Sequence, residues 1–432
     1  MNNSKYILVA FPYPSGSALH CGHAFSYGLI NSYCNYLRHK GCEVFQPFGY
    51  DVFGEGTLIA ANKQKRNVYD VANENINNFR NQLKRLNLSF EELLCTHEAS
   101  YVKWTQWIFT KLLEHGLAYK KYGDINWCDI CSNILSNEQV VDGKCERCSS
   151  NVIIKQTNQW YVKITEYKQK LIDNLEWLDY PESTKKAQRN FLENLQDWSI
   201  GRNKSFGTPI PLNDEQNGTD NKTLCTMFDS SWYYIRYCDA NNENELCAKD
   251  KYKQVDLYCL GSELTCNHLI YARFISMFLY NIGVISSEEP FKSVIHNGKV
   301  LAEDGRKMSK SLNNVVNPND YDPDELLFYL AFLSHFFDDS KWSDNNISGI
   351  KRFINRFKEW MSRSGEDTIN YDKFQDTIYK YSEYFKFNKV CSEFMSLVNK
   401  ERTKNLNTET KDKLISLLEV YMPGIKSKIR EK

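Results

Sequence analysis

A continuous apolar run from Tyr6 to Phe11 ends at Pro12 and Pro14, then passes through the turn Ser15-Gly16-Ser17 into apolar residues at every fourth position: Phe25, Leu29, Tyr33 and Leu37. The run has the length of a strand, the prolines stop it, and the four-residue recurrence marks one face of a helix. A second strand-like run, Glu43 to Phe48, follows Gly41. Strand, turn, helix and strand in this order close as a right-handed βαβ unit, the opening of a doubly wound parallel sheet. The chain has 432 residues, more than one such core accommodates, so further domains are expected.

Residues 68–121 read as helices, from Val71, Ile76, Phe79 and Leu83 and then from Trp104, Ile108, Leu112 and Leu113. Between 123 and 225 short strands, turns and a cysteine cluster take over, an insertion of α+β character. Asp256–Leu260 reads as a buried strand, about Leu264 to Tyr280 as a long helix, and Val294–Ile295 with Lys299–Leu301 as a hairpin across Asn297-Gly298. From Asn345 onward the chain is charged and helical. The predicted division is a sheet domain in two halves, 1–122 and 226–345, an insertion over 123–225, and a short helical domain over 346–432.

Composition narrows the function. With 42% hydrophobic and 25% charged residues the chain is neither disordered nor collagen-like. No apolar run approaches the ~20 residues of a membrane-spanning helix. The apolar stretch near the start is too short for a secretion signal, so a cytoplasmic location is expected. Lys plus Arg and Asp plus Glu each number 54, so net charge offers no evidence for a nucleic-acid partner. Ten of the fourteen cysteines are scattered and expected as buried small apolar residues. The other four, Cys128-x2-Cys131 and Cys145-x2-Cys148, have the spacing of a tetrahedral thiolate zinc site. Four sulfur ligands leave no open position, which makes such a zinc structural rather than catalytic.

Two further constellations point to phosphate chemistry. His20-Cys21-Gly22-His23 places two imidazoles three residues apart at a helix start. Free N–H groups and the helix dipole already attract anions there. Capping or core histidines are the alternative reading of the same pattern. Lys307-Met308-Ser309-Lys310-Ser311 follows the loop opener Asp304-Gly305, and its paired lysines suit a pyrophosphate leaving group. A solvated surface loop is the alternative there.

Together and in this order, the two segments resemble the HIGH and KMSKS signatures of class I aminoacyl-tRNA synthetases. The resemblance narrows to leucyl-tRNA synthetases through Phe11-Pro-Tyr-Pro-Ser-Gly up to His23, and Gly49-Tyr-Asp-Val-Phe-Gly54. It continues through Asn126-Trp-Cys128, Glu138 to Gly143, Gln159-Trp-Tyr161, and Trp177 to Glu182. Asp197 to Arg202, Gly207 to Pro211, Asp229-Ser-Ser-Trp-Tyr-Tyr234, and His268 to Arg273 complete it. It covers about residues 6 to 350. It implies a Rossmann-type catalytic domain, a zinc-bearing insertion and a C-terminal helical bundle.

The activity it implies is ATP-dependent activation of leucine or a related aliphatic amino acid, with Mg2+ on the phosphates, followed by transfer to the 3′ end of tRNA. His20 and His23 would stabilise charge on the phosphates, with Gly22 between them. Lys307, Met308, Ser309 and Lys310 would hold the pyrophosphate end. Gly261 and Glu263 would hold the adenosine. Asp51 and the backbone near Phe11 would receive the α-amino group. Tyr13 would line the amino-acid pocket, and Ser230, Tyr233 and His268 would shape it around the side chain. A monomer is expected.

Three departures qualify this. Gln188-Arg189-Asn190 is joined almost directly to Asp197-Trp198, where the family normally carries its editing domain. The region after the KMSKS segment is short. The pocket sequence also differs: Leu260-Gly261-Ser262-Glu263-Leu264 replaces Gly-Gly-x-Glu-His, Met227 replaces an aromatic residue, Glu55-Gly56 replaces Leu-Pro, and Leu327 replaces an arginine. A carrier-protein thiol or small-molecule amine as acceptor is therefore the alternative to tRNA. A catalytically silent binding paralogue is a third reading.

Overall fold

A computed structural model describes residues 4–16, 18–131, 133–135, 139–146, 148–212, 222–308, 312 and 314–430. The chain enters as β1 (Ser4–Val9), turns into α1 (Cys21–His39) and returns as β2 (Glu43–Phe45). Strands β3 (Pro47–Tyr50) and β4 (Glu91–Cys95) bracket α2 (Glu55–Gln64) and α3 (Val68–Arg85), and α4 (Ala99–Glu114) follows. The insertion contains β5 (Ala118–Cys128), β6 (Asn133–Leu135), the hairpin β7 (Val140–Val141) and β8 (Lys144–Cys145), and β9 (Ile153–Val162). It continues with α5 (Lys168–Asp173), α6 (Glu182–Glu193), β10 (Trp198–Ser199), β11 (Gly201–Arg202) and β12 (Thr223–Leu224).

Short α7 (Thr226–Asp229) and α8 (Tyr233–Tyr237) lead back to β13 (Val255–Leu260), α9 (Asn267–Asn281) and β14 (Phe291–His296). Then come β15 (Val300–Leu301), α10 (Pro323–Leu333) and β16 (Ser340–Lys341). Helices α11 (Asp344–Ser362), α12 (Tyr371–Glu383), α13 (Phe387–Glu401), α14 (Thr408–Glu419) and α15 (Ile425–Arg430) end the chain. Among the described residues no helix is long and apolar enough to cross a membrane.

The central sheet runs β14-β13-β1-β2, all parallel, with Ile7 opposite Leu257, Ser4 opposite Glu43 and Leu257 opposite Ser293. Alternation along β1 sends Ile7 and Val9 into one core and Tyr6 and Leu8 into another, as a sheet covered on both faces requires. The first core lies under α1 and α10 and is continuous with the C-terminal helices through Phe353, Phe357, Phe394 and Leu417. The second lies under α4 and α9 and extends into the insertion.

Three expectations are corrected. The run Glu43–Phe48 divides into two strands: β2 pairs with β1, whereas β3 begins at Pro47, which has no N–H to donate, and pairs with β4. The helical stretch 68–121 is interrupted by β4, where parallel pairing with β3 overrides the helix preference of Glu91-Glu92-Leu93-Leu94. The hairpin across Asn297-Gly298 does not form, because β14 pairs in parallel with β13 and β15 in parallel with β16. Gly298 lacks the positive φ of a two-residue turn. Its hydrogen lies instead against the Asp338 carbonyl, 2.0 Å from where a Cβ would stand.

The insertion is anchored by one buried ion pair. Arg273 of α9 and Glu289 are both fully buried and meet through Nε–Oε2 at 2.8 Å and Nη2–Oε1 at 2.7 Å. Arg273 also donates to Gln188 Oε1 of α6 (2.9 Å) and to the Leu171 carbonyl of α5 (2.8 Å), so it binds two elements of the insertion to the sheet domain. Only residues 194–197 separate α6 from β10, which pairs Trp198 with Val162. Removing one member of a buried pair leaves an uncompensated charge, so Arg273→Met is expected to destabilise the chain by about 3–5 kcal/mol. Urea unfolding should show that loss, and the double variant Arg273→Met/Glu289→Leu should recover part of it.

Candidate active site

The chain leaves β1 for α1 and β2 on one side and leaves β13 for α9 and β14 on the other. The switch point therefore lies between the carboxyl ends of β1 and β13, where doubly wound sheets bind ligands. The loop after β1 is fixed there from several sides. The Ala10 N–H donates to the Cys259 carbonyl (3.1 Å) and the Asp51 N–H to the Pro12 carbonyl (3.0 Å). Asn75 Nδ2 donates to the Pro14 carbonyl at 2.8 Å, and Gln82 both accepts from and donates to the Leu19 backbone.

This loop delivers the two histidines as caps of α1. His20 Nδ1 accepts from the Gly22 N–H at 3.0 Å, and His23 Nδ1 accepts from the His20 N–H at 3.3 Å. The capping alternative is thus realised, and it has a chemical consequence. With both Nδ1 atoms accepting, the proton of each neutral ring resides on Nε2, a donor suited to an anionic oxygen. The rings lie 3.9 Å apart between centroids. A Cβ at Gly22 would stand 2.8 Å from His20 Cε1, so glycine is needed for the ring to fold over the helix start.

The second phosphate segment lies beside this helix start. The Ala302 N–H donates to the Arg306 carbonyl (2.8 Å) around Gly305, whose φ is +81°, and Lys307 bridges back to Leu301. Lys307 is exposed, whereas Met308 is buried in the core and anchors the segment. Ser309 and Lys310 lie outside the described residues. Further along, the Val316 carbonyl accepts from the Cys21 N–H at 3.1 Å, and Arg85 donates to the carbonyls of Pro318 and Tyr321.

A cleft of about 600 Å³ opens at the switch point. Tyr13, Ser15, Gly54 and Glu55 line one side, Lys204, Thr226 and Met227 another, and Glu263, Asn267 and Tyr271 a third. A Cβ at Gly54 would stand 2.6 Å from the Tyr13 ring and one at Gly56 2.7 Å from Ser15 Cβ, so both glycines let the loop lie on the start of α2. At Gly261 a Cβ would stand within 2.4–2.7 Å of the Glu263 carboxylate, which folds back over the end of β13.

Of the departures in the pocket sequence, Met227 and Glu55-Gly56 face this cleft. Leu260 is buried in the core, Leu264 packs against it, and Leu327 packs against Gly28 of α1. Glu55 accepts a hydrogen bond from Asn133 Nδ2, which ties the cysteine-bearing module to the loop; Gln139 and Glu146 of that module also line the cleft.

Tyr233 and His268 sit one layer deeper than the pocket surface. Tyr233 stacks on Phe11 with centroids 3.9 Å apart, and its hydroxyl meets that of Tyr258 at 2.7 Å. The Tyr258 hydroxyl meets His268 Nε2 at 2.8 Å. Burial pushes the His268 imidazole down to about 4, so it is neutral. Ser230 is buried too, its hydroxyl donating to the Thr226 carbonyl.

Asp51 is 1% exposed; its Oδ1 accepts from the Thr96 hydroxyl at 3.4 Å and its Oδ2 has no hydrogen-bond partner. Burial foremost, then the nearby Asp229 carboxylate, hold its carboxyl well above the ordinary carboxylate range, against the pull of Lys204. Asp229 and Lys204 were not foreseen as site residues. Asp229 opens the segment Asp229-Ser-Ser-Trp-Tyr-Tyr234, and Lys204 falls between Arg202 and Gly207, so neither carries a chemical signal of its own in the sequence.

The four cysteines converge. Their sulfurs lie within 4.8 Å of one another, Cys128 to Cys148 at 3.4 Å and Cys131 to Cys145 at 3.9 Å. A tetrahedral zinc with bonds of ~2.3 Å places its sulfurs roughly 3.8 Å apart, so the cage fits that ion. The Cys131 N–H donates to Cys128 Sγ, and the Ser150 hydroxyl contacts the sulfurs of Cys128 and Cys148, the outer-shell support such a site needs.

Comparison with known proteins agrees with this geometry. A family model for tRNA synthetases class I (I, L, M and V) matches residues 1–253 and 213–343. A leucine–tRNA ligase from Caldanaerobacter subterraneus subsp. tengcongensis is 26% identical over 664 residues, covering 92% of this chain and 81% of that protein. One from Clostridium botulinum is 27% identical over 611 residues, covering 86% and 75%. Both alignments are longer than the 432-residue chain, so these relatives contain stretches with no counterpart here.

Among solved structures, the Agrobacterium radiobacter K84 agnB2 LeuRS in its ternary complex with tRNA and LeuAMS superposes with a TM-score of 0.86 at 22% identity, covering 98% of this chain and 84% of that one. Mycobacterium tuberculosis methionyl-tRNA synthetase bound by methionyl-adenylate gives 0.76 at 18%, covering 99% and 93%. The chain belongs to the class I tRNA synthetase family, as a leucyl-tRNA-synthetase-like member without the editing domain. Enzymes of this family use ATP and Mg2+.

The cysteine cage generates a direct test. Purified protein should carry about one zinc per chain by atomic absorption, as a closed four-thiolate site implies. Cys145→Ser should lose the metal and lower the unfolding temperature.

Proposed function

We propose that this chain activates leucine, or a closely related aliphatic amino acid, with ATP and passes the aminoacyl group to the 3′ end of tRNA. The observation that carries the reading is the paired cap at the switch point, where two imidazoles with Nε2–H donors stand at the start of a nineteen-residue helix. The amino-acid carboxylate attacks the α-phosphorus, the bond to the β-phosphate breaks, and pyrophosphate leaves. Charge grows on phosphate oxygens during this step, and preorganised donors that meet it there lower the barrier. His20 and His23 fill that role beside the backbone of Gly22, and Lys307 with Lys310, Ser309 and Met308 forms the segment that meets the pyrophosphate. Mg2+ screens the phosphates when bound. Gly261 and Glu263, at the end of β13, hold the adenosine; Asp51 receives the ammonium group, and Tyr13 with Met227 lines the side-chain pocket.

Charge supports tRNA as the acceptor once the overall neutrality is resolved along the chain. Residues 346–432 hold 18 Lys and Arg against 12 Asp and Glu, an excess balanced by an acidic remainder. A cationic helical region suits a polyphosphate partner.

Amino-acid-dependent ATP–pyrophosphate exchange across the twenty amino acids tests the first half-reaction, with leucine expected to give the highest rate. His23→Ala should lower the leucine rate by about 10²–10³, the usual loss for one transition-state donor; an unchanged rate would refute the phosphate role. Charging of tRNA with radiolabelled leucine tests the second half. Because a single pocket separates side chains differing by one methylene by only about 10–200-fold, kcat/KM for leucine over valine should fall in that range. Valine once attached to tRNA should persist, since the editing domain that would hydrolyse it is absent.

A further inference from the structure

A charged cluster under the cleft remains unused by the phosphate chemistry. Asp51 follows β3, Asp229 closes α7, and Lys204 follows β11. The two carboxylates are 1% and 0% exposed, and Oδ2 of each has no hydrogen-bond partner. The Thr208 hydroxyl donates to Asp229 Oδ1 at 2.5 Å. Lys204 is 8% exposed and donates to the Phe53 carbonyl at 3.2 Å and the Thr226 hydroxyl at 3.4 Å. Lys204 and Thr226 line the cleft, as does Tyr13, whose hydroxyl acts on Asp51, so the two carboxylates lie buried directly behind the cleft wall.

The charges of this cluster do not balance by themselves. Two carboxylates face one ammonium in a dry environment, where an uncompensated charge is costly. The other neighbours do not correct the sum. Tyr101 of α4, whose hydroxyl donates to the Asp229 carbonyl at 2.6 Å, is held neutral by burial, as is the Cys225 thiol. Arg202 directs its guanidinium to the carbonyls of Ser199 and Gly201. Among the described residues, Lys204 is thus the one cation that acts on the two carboxylates, and Oδ2 of each carboxylate has no hydrogen-bond partner.

We infer that Asp229 and Lys204 are positioning residues that make amino-acid binding a proton exchange: with one ammonium beside two buried carboxylates, Asp51 and Asp229 together retain one proton in the empty site, and the ammonium group of the amino acid, arriving at Asp51, expels that proton to solvent. The inference rests on the reading that Asp51 receives the ammonium. The bookkeeping closes, since one cation enters, one proton leaves to buffer, and no covalent bond other than O–H is broken. Burial pushes the Asp229 carboxyl up to about 7, against the opposing hydrogen bond from Thr208 and the charge of Lys204, which places the exchange near neutrality. A raised carboxyl pKa in the empty site means that binding tightens as pH rises and levels off above that pKa. Lys204 sets where it levels, by opposing the retention of the proton.

Calorimetric titration of the whole chain with L-leucine, in buffers of different ionisation enthalpy, reads the exchange directly. Free leucine does not titrate between pH 5.5 and 7.5, so released protons come from the protein. The expected result at pH 6.5 is proton release on binding, with Kd about tenfold tighter at pH 6.5 than at pH 5.5 and nearly constant above pH 7.5. Asp229→Asn should flatten this profile, and Lys204→Met should move the levelling point to higher pH. Leucine binding without buffer dependence and with a pH-independent Kd in the wild type overturns the inference alone, as does a full pH slope retained in folded Asp229→Asn. Binding and pyrophosphate exchange by none of the twenty amino acids would overturn the activation reading and this inference with it.

Discussion

The parallel pairing of β1 with β13 is the contact on which the rest of the molecule depends. It joins segments about 250 residues apart, and the Tyr6 N–H is held at its start by Asp256 Oδ2 at 2.8 Å. Once Ile7 lies opposite Leu257, the loop after Val9 and the turn after Leu260 must leave the sheet side by side. The cleft is lined from those two exits, from the starts of α2 and α7, and from the insertion. Closing so long a loop is entropically costly, and the cost rises only slowly with length, so a large internal segment is tolerated or dispensed with provided its ends meet. The four-residue join at 194–197 shows the dispensed case, with Arg273 and Gln188 holding the shortened insertion against the sheet.

At the helix start, structural and chemical demands are met by the same atoms. The first N–H groups of α1 need acceptors, and the two imidazoles supply them through Nδ1. That leaves Nε2 as the donor edge, so the tautomer suited to phosphate follows from the cap. An Asp cap would satisfy the backbone equally well, but a carboxylate has no donor to turn toward an anionic oxygen.

Much of this was legible in the sequence because it depends on local chemistry. The βαβ opening announces itself through Pro12, Pro14 and the four-residue spacing of α1. The cysteine cage shows in two CxxC pairs, and the missing domain in the closeness of Asn190 to Asp197. What was not legible depends on distant partners. Gly298 looks like a turn glycine until the backbone of Asp338 is found against it. Glu91-Glu92-Leu93-Leu94 reads as helix until β3 lies beside it. Tyr233 and His268 carry motif weight, yet they back Phe11 instead of facing the cleft. Asp229 and Lys204 become a chemical unit only when the insertion folds over β3.

The same layering bears on selectivity. On the proposed reading, the backbone end of the amino acid meets the buried cluster of Asp51, Asp229 and Lys204, where a wrong group is rejected steeply because it leaves buried polar groups unpaired. The cleft wall assigned to the side chain holds Met227, a flexible thioether in place of a rigid ring, beside a Tyr13 that is 39% exposed. Such a wall adapts to shape and separates aliphatic chains weakly. An enzyme with the proposed site would distinguish an amino acid from other metabolites far better than it distinguishes one aliphatic amino acid from the next. The energetic room for error lies in the side-chain pocket, the point at which an editing domain would otherwise intervene.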